Sequence, residues 1–430
     1  MSRPTPFPAT AAGASLLLQG TRWRVLHTLS SLALWCLPAL VVTTPTNLLP
    51  FGLMLLLGSV LGVDYLWRAR TVGGPALRMQ VGLMLAVLSL SLLSVWLFNH
   101  GLRDVDNRSR FVVMPWALLW VCAFRPRAAA LWWGALAGLF GTLLVAIAQV
   151  YGGAARAEAW TNAIVLADIV LMLMVLLVFC RPSGRWPWVV AGMAAGCVVI
   201  VLSGSRGVWL GLLALLVVMA LAMRWANGRF RLLALVGLVL MALTLVVTVP
   251  GLREQMRVDE LRSDVARMEN GDVDSSAGAR LERLQVAYAT FLERPLTGVG
   301  IGHFDDAMTR LPLCQDPSQP VARCHLAHAH NDAAEWAATQ GVPGLLLLLA
   351  VYGLPLVWFV RLHRRSGERG FRGPAAAGIM IVVAYVLCGM TQSMFAHQIT
   401  ASFYVCAVGV LTGLSLLDGA RRRATRAQQG

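Results

Sequence analysis

The 430-residue chain contains no lysine, so all 36 of its basic residues are arginine and every side-chain ammonium is absent. Charge of either sign is scarce at 13% of the residues, whereas a soluble domain carries about a quarter. This shortage excludes an ordinary soluble globular protein. The sequence also lacks an internal repeat and a clear cleavage site before its first apolar stretch, so we expect a cytoplasmic leader rather than a removed signal peptide.

Long apolar runs occupy most of the chain, which is 57% hydrophobic. Runs of about 17–25 residues match a hydrocarbon core, and in lipid they must be helical because their backbone groups cannot bond to water. We therefore predict an all-α polytopic membrane protein. About 12 transmembrane helices are expected, near 26–43, 47–66, 79–98, 109–124, 129–150, 160–180, 187–204, 206–223, 230–249, 342–360, 374–392 and 399–417.

The arginines separate by side of the membrane. With a cytoplasmic N-terminus, 22 lie on the inner side, five in short outer loops and nine in one long polar insert. This distribution follows the positive-inside rule and places both termini in the cytoplasm and the insert outside. The net charge of +15 then needs no nucleic acid, because inner arginines contact anionic membrane lipids.

The predicted domain organisation has four parts. Residues 1–249 carry transmembrane helices 1–9, 250–341 form a mainly helical outer domain, 342–417 carry helices 10–12, and 418–430 form a basic cytoplasmic tail. The outer domain holds 14 of the 21 acidic residues. Helical spacing of its apolar residues predicts helices within 251–294, and a glycine-rich turn follows at 294–302.

The cysteines form two groups. Six lie in apolar spans, as packing residues do. Cys314 and Cys324 lie in the outer insert, where an oxidising compartment favours a loop-closing disulfide over two free thiols.

His328 and His330 are the best candidates for proton transfer, because a histidine accepts a proton near neutral pH. Asn331 follows directly and is a candidate to orient a ring or hold a sugar. Asp332 and Glu335 are candidates to set a histidine tautomer, as orienting carboxylates do. A metal site is the alternative, with His325 and Cys324 nearby, but the spacing is not that of a recognised zinc site.

Two arginines are candidate anion ligands. Arg206 lies at the outer end of a span, in Ser203-Gly204-Ser205-Arg206-Gly207-Val208-Trp209, where a charge is costly and usually functional. Its guanidinium fork suits phosphate, although a snorkelling boundary arginine is the alternative. Arg280 opens the second predicted insert helix, and a surface salt bridge with Glu282 is its alternative.

Other polar residues give weaker signals. The triplets Asp104-Val105-Asp106 and Asp272-Val273-Asp274 could hold a divalent cation, but such short triplets are more often solvated loop charges. Asp168 lies inside a span, either as a satisfied interior residue or as part of a polar path.

Three motifs occur in order: the Arg206 heptapeptide, Arg280 with the Leu296–Gly302 turn, and His328-Ala329-His330-Asn331 with Glu335 and Gly341. Together they resemble the O-antigen ligase family, whose superfamily also holds O-antigen polymerases and protein O-oligosaccharyltransferases. The motifs cover roughly 200–350, and the topology resembles the family over the whole chain. They discriminate poorly among the superfamily's members.

The resemblance implies a GT-C-like enzyme of the bacterial inner membrane whose active site faces the periplasm. It implies transfer of polysaccharide from undecaprenyl pyrophosphate to a sugar hydroxyl of the lipid A–core oligosaccharide, with inversion and without metal or other cofactor. Arg206 and Arg280 match the family's two functional arginines. The segment from His328 to Asn331 matches the region of the catalytic base, with His330 favoured and His328 its rival.

Three other functions remain open. An O-antigen polymerase would use the same donor with a growing chain as acceptor, and a protein O-oligosaccharyltransferase would modify serine or threonine. A non-enzymatic transporter would carry its functional charges within the spans, whereas here they concentrate outside. The ligase is the reading that the ordered motifs favour.

Overall fold

In a computed structural model of the chain, residues 20–222, 276–311, 314–315, 324, 328–366 and 370–429 are described. Regular structure within these ranges is helical, as predicted, and they contain no strand. The helices are α1 (Thr21–Leu40), α2 (Leu49–Leu61), α3 (Val63–Phe98), α4 (Val113–Phe124), α5 (Ala128–Tyr151), α6 (Ala163–Phe179), α7 (Trp186–Ser203), α8 (Trp209–Ala222), α9 (Ser276–Glu293), α10 (Phe304–Met308), α11 (Asp332–Ser366), α12 (Pro374–Gly389) and α13 (Gln398–Gln429). Short helical turns at Leu102–Val105, Asp106–Ser109 and Arg110–Val112 join α3 to α4.

Five of the described helices, α3, α5, α7, α11 and α13, are long and apolar enough to cross a membrane by length and composition. Four shorter helices, α2, α6, α8 and α12, are also apolar. The predicted span 230–249 lies outside the described residues. The protein is therefore a helical protein with several candidate spans, and the count of 12 stays a prediction.

Two predicted boundaries differ from the helices. The second predicted span, 47–66, is interrupted at Gly62, and α3 begins at Val63 and continues through the segment expected to be an inner loop. It kinks at Gly74, whose φ is +43°, directly before Pro75. Gly74 is not helical, and proline lacks an N–H and crowds the preceding turn, so α3 consists of two helical segments that meet at this kink. At the other end of the chain, α13 continues to Gln429, so the predicted tail is helical.

Helix α6 lies at the centre of the main hydrophobic core. It is apolar around its whole circumference, and nearly all of its side chains are buried, as expected for a helix surrounded by others. The Asn162 side chain caps it by accepting hydrogen bonds from the backbone N–H groups of Ile164 and Val165. Asp168 is buried on this helix beside Cys388, with which it shares a hydrogen bond.

Helices α1 and α5 approach each other closely because glycines face the contact. A Cβ on Gly134 would clash with the Trp35 carbonyl, and one on Gly138 with the Pro38 carbonyl. This four-residue spacing of small residues is the arrangement by which membrane helices pack backbone against backbone. The contact closes one side of the bundle around α6.

The outer insert contains the predicted disulfide. Cys314 and Cys324 are bonded, with their Cα atoms 5.5 Å apart. Of the other six cysteines, which are free, four are buried and Cys180 and Cys197 are half-buried. The insert helix α9 begins at Ser276, four residues before Arg280, which was predicted to open this helix and lies in its second turn. The predicted helical segment 251–275 lies outside the described residues.

We predict that Gly138→Leu lowers the free energy of unfolding by at least about 2 kcal/mol, because a large side chain forced into a filled contact is strongly destabilising. The measurement is thermal or denaturant unfolding of the detergent-solubilised protein. Gly82→Leu is the matched control, since nothing lies within 4 Å of a Cβ at that position in α3. Equal effects of the two substitutions would contradict the close packing of α1 and α5.

Candidate functional site

The segment from His328 to Asn331 is held against the loop that connects α12 to α13. The Asn331 amide donates to the Met390 carbonyl at 2.9 Å, and its backbone N–H donates to the Ser393 hydroxyl at 3.2 Å. The same side chain accepts from the Ala334 N–H at 2.9 Å and so caps α11. Both ends of the Asn331 amide therefore bond to the protein itself, and its role in sugar binding stays a prediction.

Asp332 and Glu335 support this segment through other partners than the histidine rings. Glu335 accepts a hydrogen bond from the backbone N–H of Ala329 at 2.6 Å. Asp332 accepts one from the Tyr352 hydroxyl at 2.6 Å. Both carboxylates are buried; Glu335 fixes the backbone at Ala329, whereas Asp332 also accepts from the Phe395 N–H of the loop between α12 and α13. The hypothesis that they set a histidine tautomer stays a prediction.

His330 is held in an uncommon backbone conformation. Its φ is +53°, in the left-handed region that a side chain with a Cβ rarely adopts. Its Nδ1 lies 2.6 Å from the Gln392 Oε1, which accepts a hydrogen bond from the protonated Nδ1. With the proton on Nδ1, the Nε2 lone pair is the one that can take a proton from a substrate.

Three histidine rings form one cluster. The His328 ring contacts that of His330 edge to face, with centroids 4.4 Å apart, and that of His397 with centroids 4.7 Å apart. The sequence predicted the first pair, but it gave no sign that His397, more than sixty positions away, would join it. Since His397 directly precedes α13, the start of that helix brings it in.

The motif around Arg206 forms the corner between α7 and α8, at the boundary between the predicted spans 187–204 and 206–223. Gly204 ends α7, and the Ser205 hydroxyl donates to the Ala163 carbonyl at 2.8 Å. The Trp209 indole closes the corner by donating to the Ser205 carbonyl at 3.1 Å. The corner abuts the loop that carries Gln392, because a Cβ on Gly207 would clash with the Thr391 hydroxyl. Arg206 is thus presented, half-buried, beside the segment that positions His330.

Arg280 and Arg283 lie one turn apart on α9 and face the same region. The pKa of Arg280 is lowered, first by desolvation and then by the positive charge of Arg206. Arg283 is buried, its Nε finds no hydrogen-bond partner among the described residues, and its pKa is lowered by desolvation and then by Arg280. The two predicted arginines therefore lie within electrostatic reach of each other, and Arg283 is a third member that the sequence analysis did not single out.

Burial and the neighbouring positive charges lower the pKa of His328 and of His330. The pKa of His330 is lowered to about 4, first by desolvation and then by Arg283, with a smaller contribution from Arg280. The pKa of His328 is lowered to about 3, first by desolvation and then by the neighbouring His330, His397 and Arg283. Both rings are therefore neutral near pH 7, which is the form that a general base requires.

Arg108, counted in the sequence only as an outer-loop charge, is buried beneath the histidine segment with 5% of its surface exposed. Its guanidinium stacks on the Trp336 ring at 3.6 Å from the centroid. Burial lowers the pKa of Arg108 to about 10, while Asp332 and Glu335 oppose that shift, so the group stays charged at neutral pH. No sequence pattern distinguishes this arginine from its neighbours Arg103 and Arg110.

Two cavities meet the histidine cluster. One of about 240 Å³ is lined by His328 together with Asn107, Arg108, Gly302, Glu335 and Thr339. A larger one of about 630 Å³ is lined by His397, Arg110, Trp160 and mostly apolar residues from α2, α4 and α13. The glycine-rich turn reaches the first cavity because Val299 and Gly300 donate backbone hydrogen bonds to the Ala338 and Thr339 carbonyls of α11, at 2.9 and 3.0 Å.

The Asp-x-Asp triplets separate in the structure. Asp104 contacts His303, whereas Asp106 pairs with Arg110 four residues along the chain. Asp272 and Asp274 lie outside the described residues, as does His325 of the alternative metal hypothesis. The structure thus brings together Arg206, Arg280, His328, His330 and Asn331, the five residues predicted for the site.

Comparison with known proteins agrees with the motifs. Residues 191–349 match the family model described as O-antigen ligase. The matched range contains all five predicted site residues but neither Arg108 nor the loop that carries Gln392 and His397. The chain is also 24% identical, over 330 residues, to a Haemophilus influenzae protein described as uncharacterized. That match covers 74% of this chain and 81% of the relative.

We predict that His330 stays neutral as the pH falls through 6.5, the ordinary pKa of histidine, and gains its proton only near pH 4. A ring-nitrogen NMR titration of the labelled protein, with His330→Ala to assign the signal, measures this. Arg283→Gln removes a neighbouring positive charge and should raise the pKa of His330. Arg294→Gln, at the far end of α9, is the control and should leave it unchanged. Titration of His330 near pH 6.5 in the unaltered protein would contradict the described environment.

Proposed function

We propose, from the premise that residues 191–349 carry the domain of the O-antigen ligase family, that the protein is an O-antigen ligase. It would transfer polysaccharide from undecaprenyl pyrophosphate to a sugar hydroxyl of the lipid A–core oligosaccharide. The reaction would take place on the periplasmic face of the bacterial inner membrane. The observation that carries the proposal is the group of three arginines beside a neutral, oriented histidine.

The arginines supply the anion site. Desolvation and then like charges lower the pKa of Arg280 and Arg283, although the Glu282 carboxylate opposes the shift at Arg283, so an anion that enters among these groups would be attracted. A diphosphate with several charged oxygens relieves this repulsion, and planar guanidinium groups can donate two hydrogen bonds to it at once. In the transition state the diphosphate gains further negative charge, so the same groups stabilise it more strongly than the ground state.

His330 is the proposed general base. The acceptor hydroxyl oxygen attacks the anomeric carbon of the donor sugar while its proton passes to His330 Nε2. The bond from the anomeric carbon to the phosphate oxygen breaks, and undecaprenyl pyrophosphate leaves with the electron pair. This direct displacement inverts the anomeric configuration and needs neither a second carboxylate nor a covalent intermediate. Gln392 positions the ring for this transfer through its hydrogen bond to Nδ1.

Donor binding and basicity are coupled in this arrangement. Arg283 and Arg280 disfavour a proton on His330 in the free protein. Once diphosphate neutralises their charge, the ring becomes a stronger base. The histidine is thus activated when the donor is in place, which limits futile protonation in its absence.

The cavities provide room for large substrates on two sides of the histidine cluster. The smaller, polar cavity beside His328 is the proposed place of the acceptor sugar. The larger one beside His397 combines Arg110 with apolar walls, which suits an amphipathic molecule. His328, which lines the smaller cavity, remains the alternative base.

A polymerase and a protein O-oligosaccharyltransferase share the donor chemistry just described, and they remain the alternative functions. The arginines and the histidine act on the leaving group and on a hydroxyl, whichever molecule carries that hydroxyl. The acceptor therefore distinguishes these enzymes, and it has to be identified by experiment.

We predict that Arg206→Ala and Arg280→Ala each abolish transfer by the purified protein from a carrier-linked donor to lipid A–core. Arg280→Lys keeps the charge but loses the planar fork, so it should retain partial activity. Arg294→Ala is the matched control, because it removes an exposed arginine from the other end of the same insert helix. Unaltered transfer by Arg206→Ala or Arg280→Ala, with the protein correctly inserted, would exclude the proposed anion site.

A further inference from the structure

A second cluster of ionisable side chains borders the smaller cavity, where the turn after α3 meets the end of the glycine-rich turn. His100 and Asp104 come from the first element and His303 from the second. His303 Nε2 lies 3.2 Å from an Asp104 carboxylate oxygen. The His100 and His303 rings stack with centroids 3.5 Å apart. One potential ligand atom from each of the three residues lies within 4.8 Å of the others.

We propose that His100, Asp104 and His303 bind a divalent transition-metal ion such as Zn²⁺. Two imidazoles and a carboxylate are a donor set that suits this class of ion. A tetrahedral zinc ion holds its ligand atoms about 3.3 Å apart, since each lies about 2.0–2.1 Å from the metal. The candidate ligand atoms already lie within 4.8 Å of one another, so an adjustment of about 1.5 Å gives that spacing.

The surroundings of these residues support the site independently of their proximity. His100 Nδ1 is buried and has no hydrogen-bond partner among the described residues. A buried ring nitrogen without a partner is unfavourable unless something else bonds to it, and a metal ion would do so. Asp306 lies 3.6 Å from His303 Nδ1, on the opposite side of the ring from Asp104. A carboxylate in that position fixes the ring and strengthens its second nitrogen as a ligand.

The glycine-rich turn has glycine, which lacks a side chain, at the two positions that face His100 and Asp104. Gly300 has a φ of +104°, and a Cβ there would lie 2.6 Å from the His100 ring. A Cβ on Gly302 would lie 3.2 Å from the Asp104 Cβ. Glycine at both positions therefore lets the insert's turn approach the first turn closely enough for both to contribute ligands.

The bound ion would strengthen the connection between two segments that already meet through the His303–Asp104 and His100–His303 contacts. Asp104 precedes Arg108 by one helical turn, and Arg108 packs beneath the histidine segment of the proposed active site. The ion would thus hold the segment that contains Asp104 and Arg108 against the part of the insert that contains His303. Nearby Arg310 is paired with Glu293, so its charge is partly neutralised. This role is structural, and it places the ion at the edge of the smaller cavity, which Asp104 also lines.

The test is a calorimetric titration of ZnCl₂ into the full-length protein in detergent, after metal has been removed with a chelator. We expect one equivalent to bind and the thermal unfolding midpoint to rise with it. His303→Phe should abolish that binding and remove the rise in midpoint. Asp306→Asn should weaken binding by about 10–100-fold, the usual effect of losing a carboxylate behind a histidine ligand.

Two further variants serve as controls, one for the specificity of the zinc site and one for a folding defect in His303→Phe. His330→Ala alters the other histidine cluster and should still bind the equivalent, whether or not the protein is a ligase. His100→Phe gives a second means of removing a ligand if His303→Phe fails to fold. Absence of zinc binding by the unaltered protein, unchanged binding in both ligand variants, or loss of binding in His330→Ala would overturn the proposal.

Discussion

The candidate site depends on the hydrogen bonds that hold the histidine segment of the insert to the loop between α12 and α13. Asn331 bonds to Met390 and Ser393, and Gln392 bonds to the His330 ring. Through these bonds a segment at one end of the insert is fixed to a loop about sixty residues further along. The positive φ of His330 costs about 1–3 kcal/mol, so it persists because the surrounding bonds over-determine it. Strain that a protein retains in this way is typical of functional segments.

Electrostatic repulsion among arginines is the basis of the proposed anion site. Arg206, Arg280 and Arg283 are brought close enough for their charges to oppose one another, and the neighbouring histidines stay neutral. In the proposed function, a diphosphate bound among these arginines offsets their repulsion and would raise the basicity of His330 in the donor complex. Recognition of the leaving group and activation of the acceptor would then be two results of one arrangement of charge.

Sequence patterns predicted the helical fold and much of the site because both arise from local chemistry. Long apolar runs predicted the helices. Arg206, Arg280 and His330 could be predicted because they lie in short polar motifs at the ends of the apolar runs or outside them. Arg108, Arg283, Gln392 and His397 were not predicted, since each resembles many ordinary polar residues and acquires its role only through tertiary contacts. The helical structure from Val63 to Gly73 was also missed, because its arginines indicated a loop, whereas the break at Gly74 lies within that predicted loop. The roles of these residues depend on helix packing and loop docking, which bring together positions that are far apart in the sequence and that no single motif contains.

The central claim is transfer to lipid A–core, and a lipopolysaccharide gel from a strain that lacks this chain tests it most directly, together with a measurement of carrier-linked polymer. We predict loss of the polysaccharide ladder from lipid A–core while long polymer accumulates on undecaprenyl pyrophosphate. Restoration by the unaltered gene, but not by one that encodes Arg280→Ala, would link the effect to the described site. A core capped by a single repeat would indicate a polymerase instead, and an unchanged ladder would contradict the ligase account.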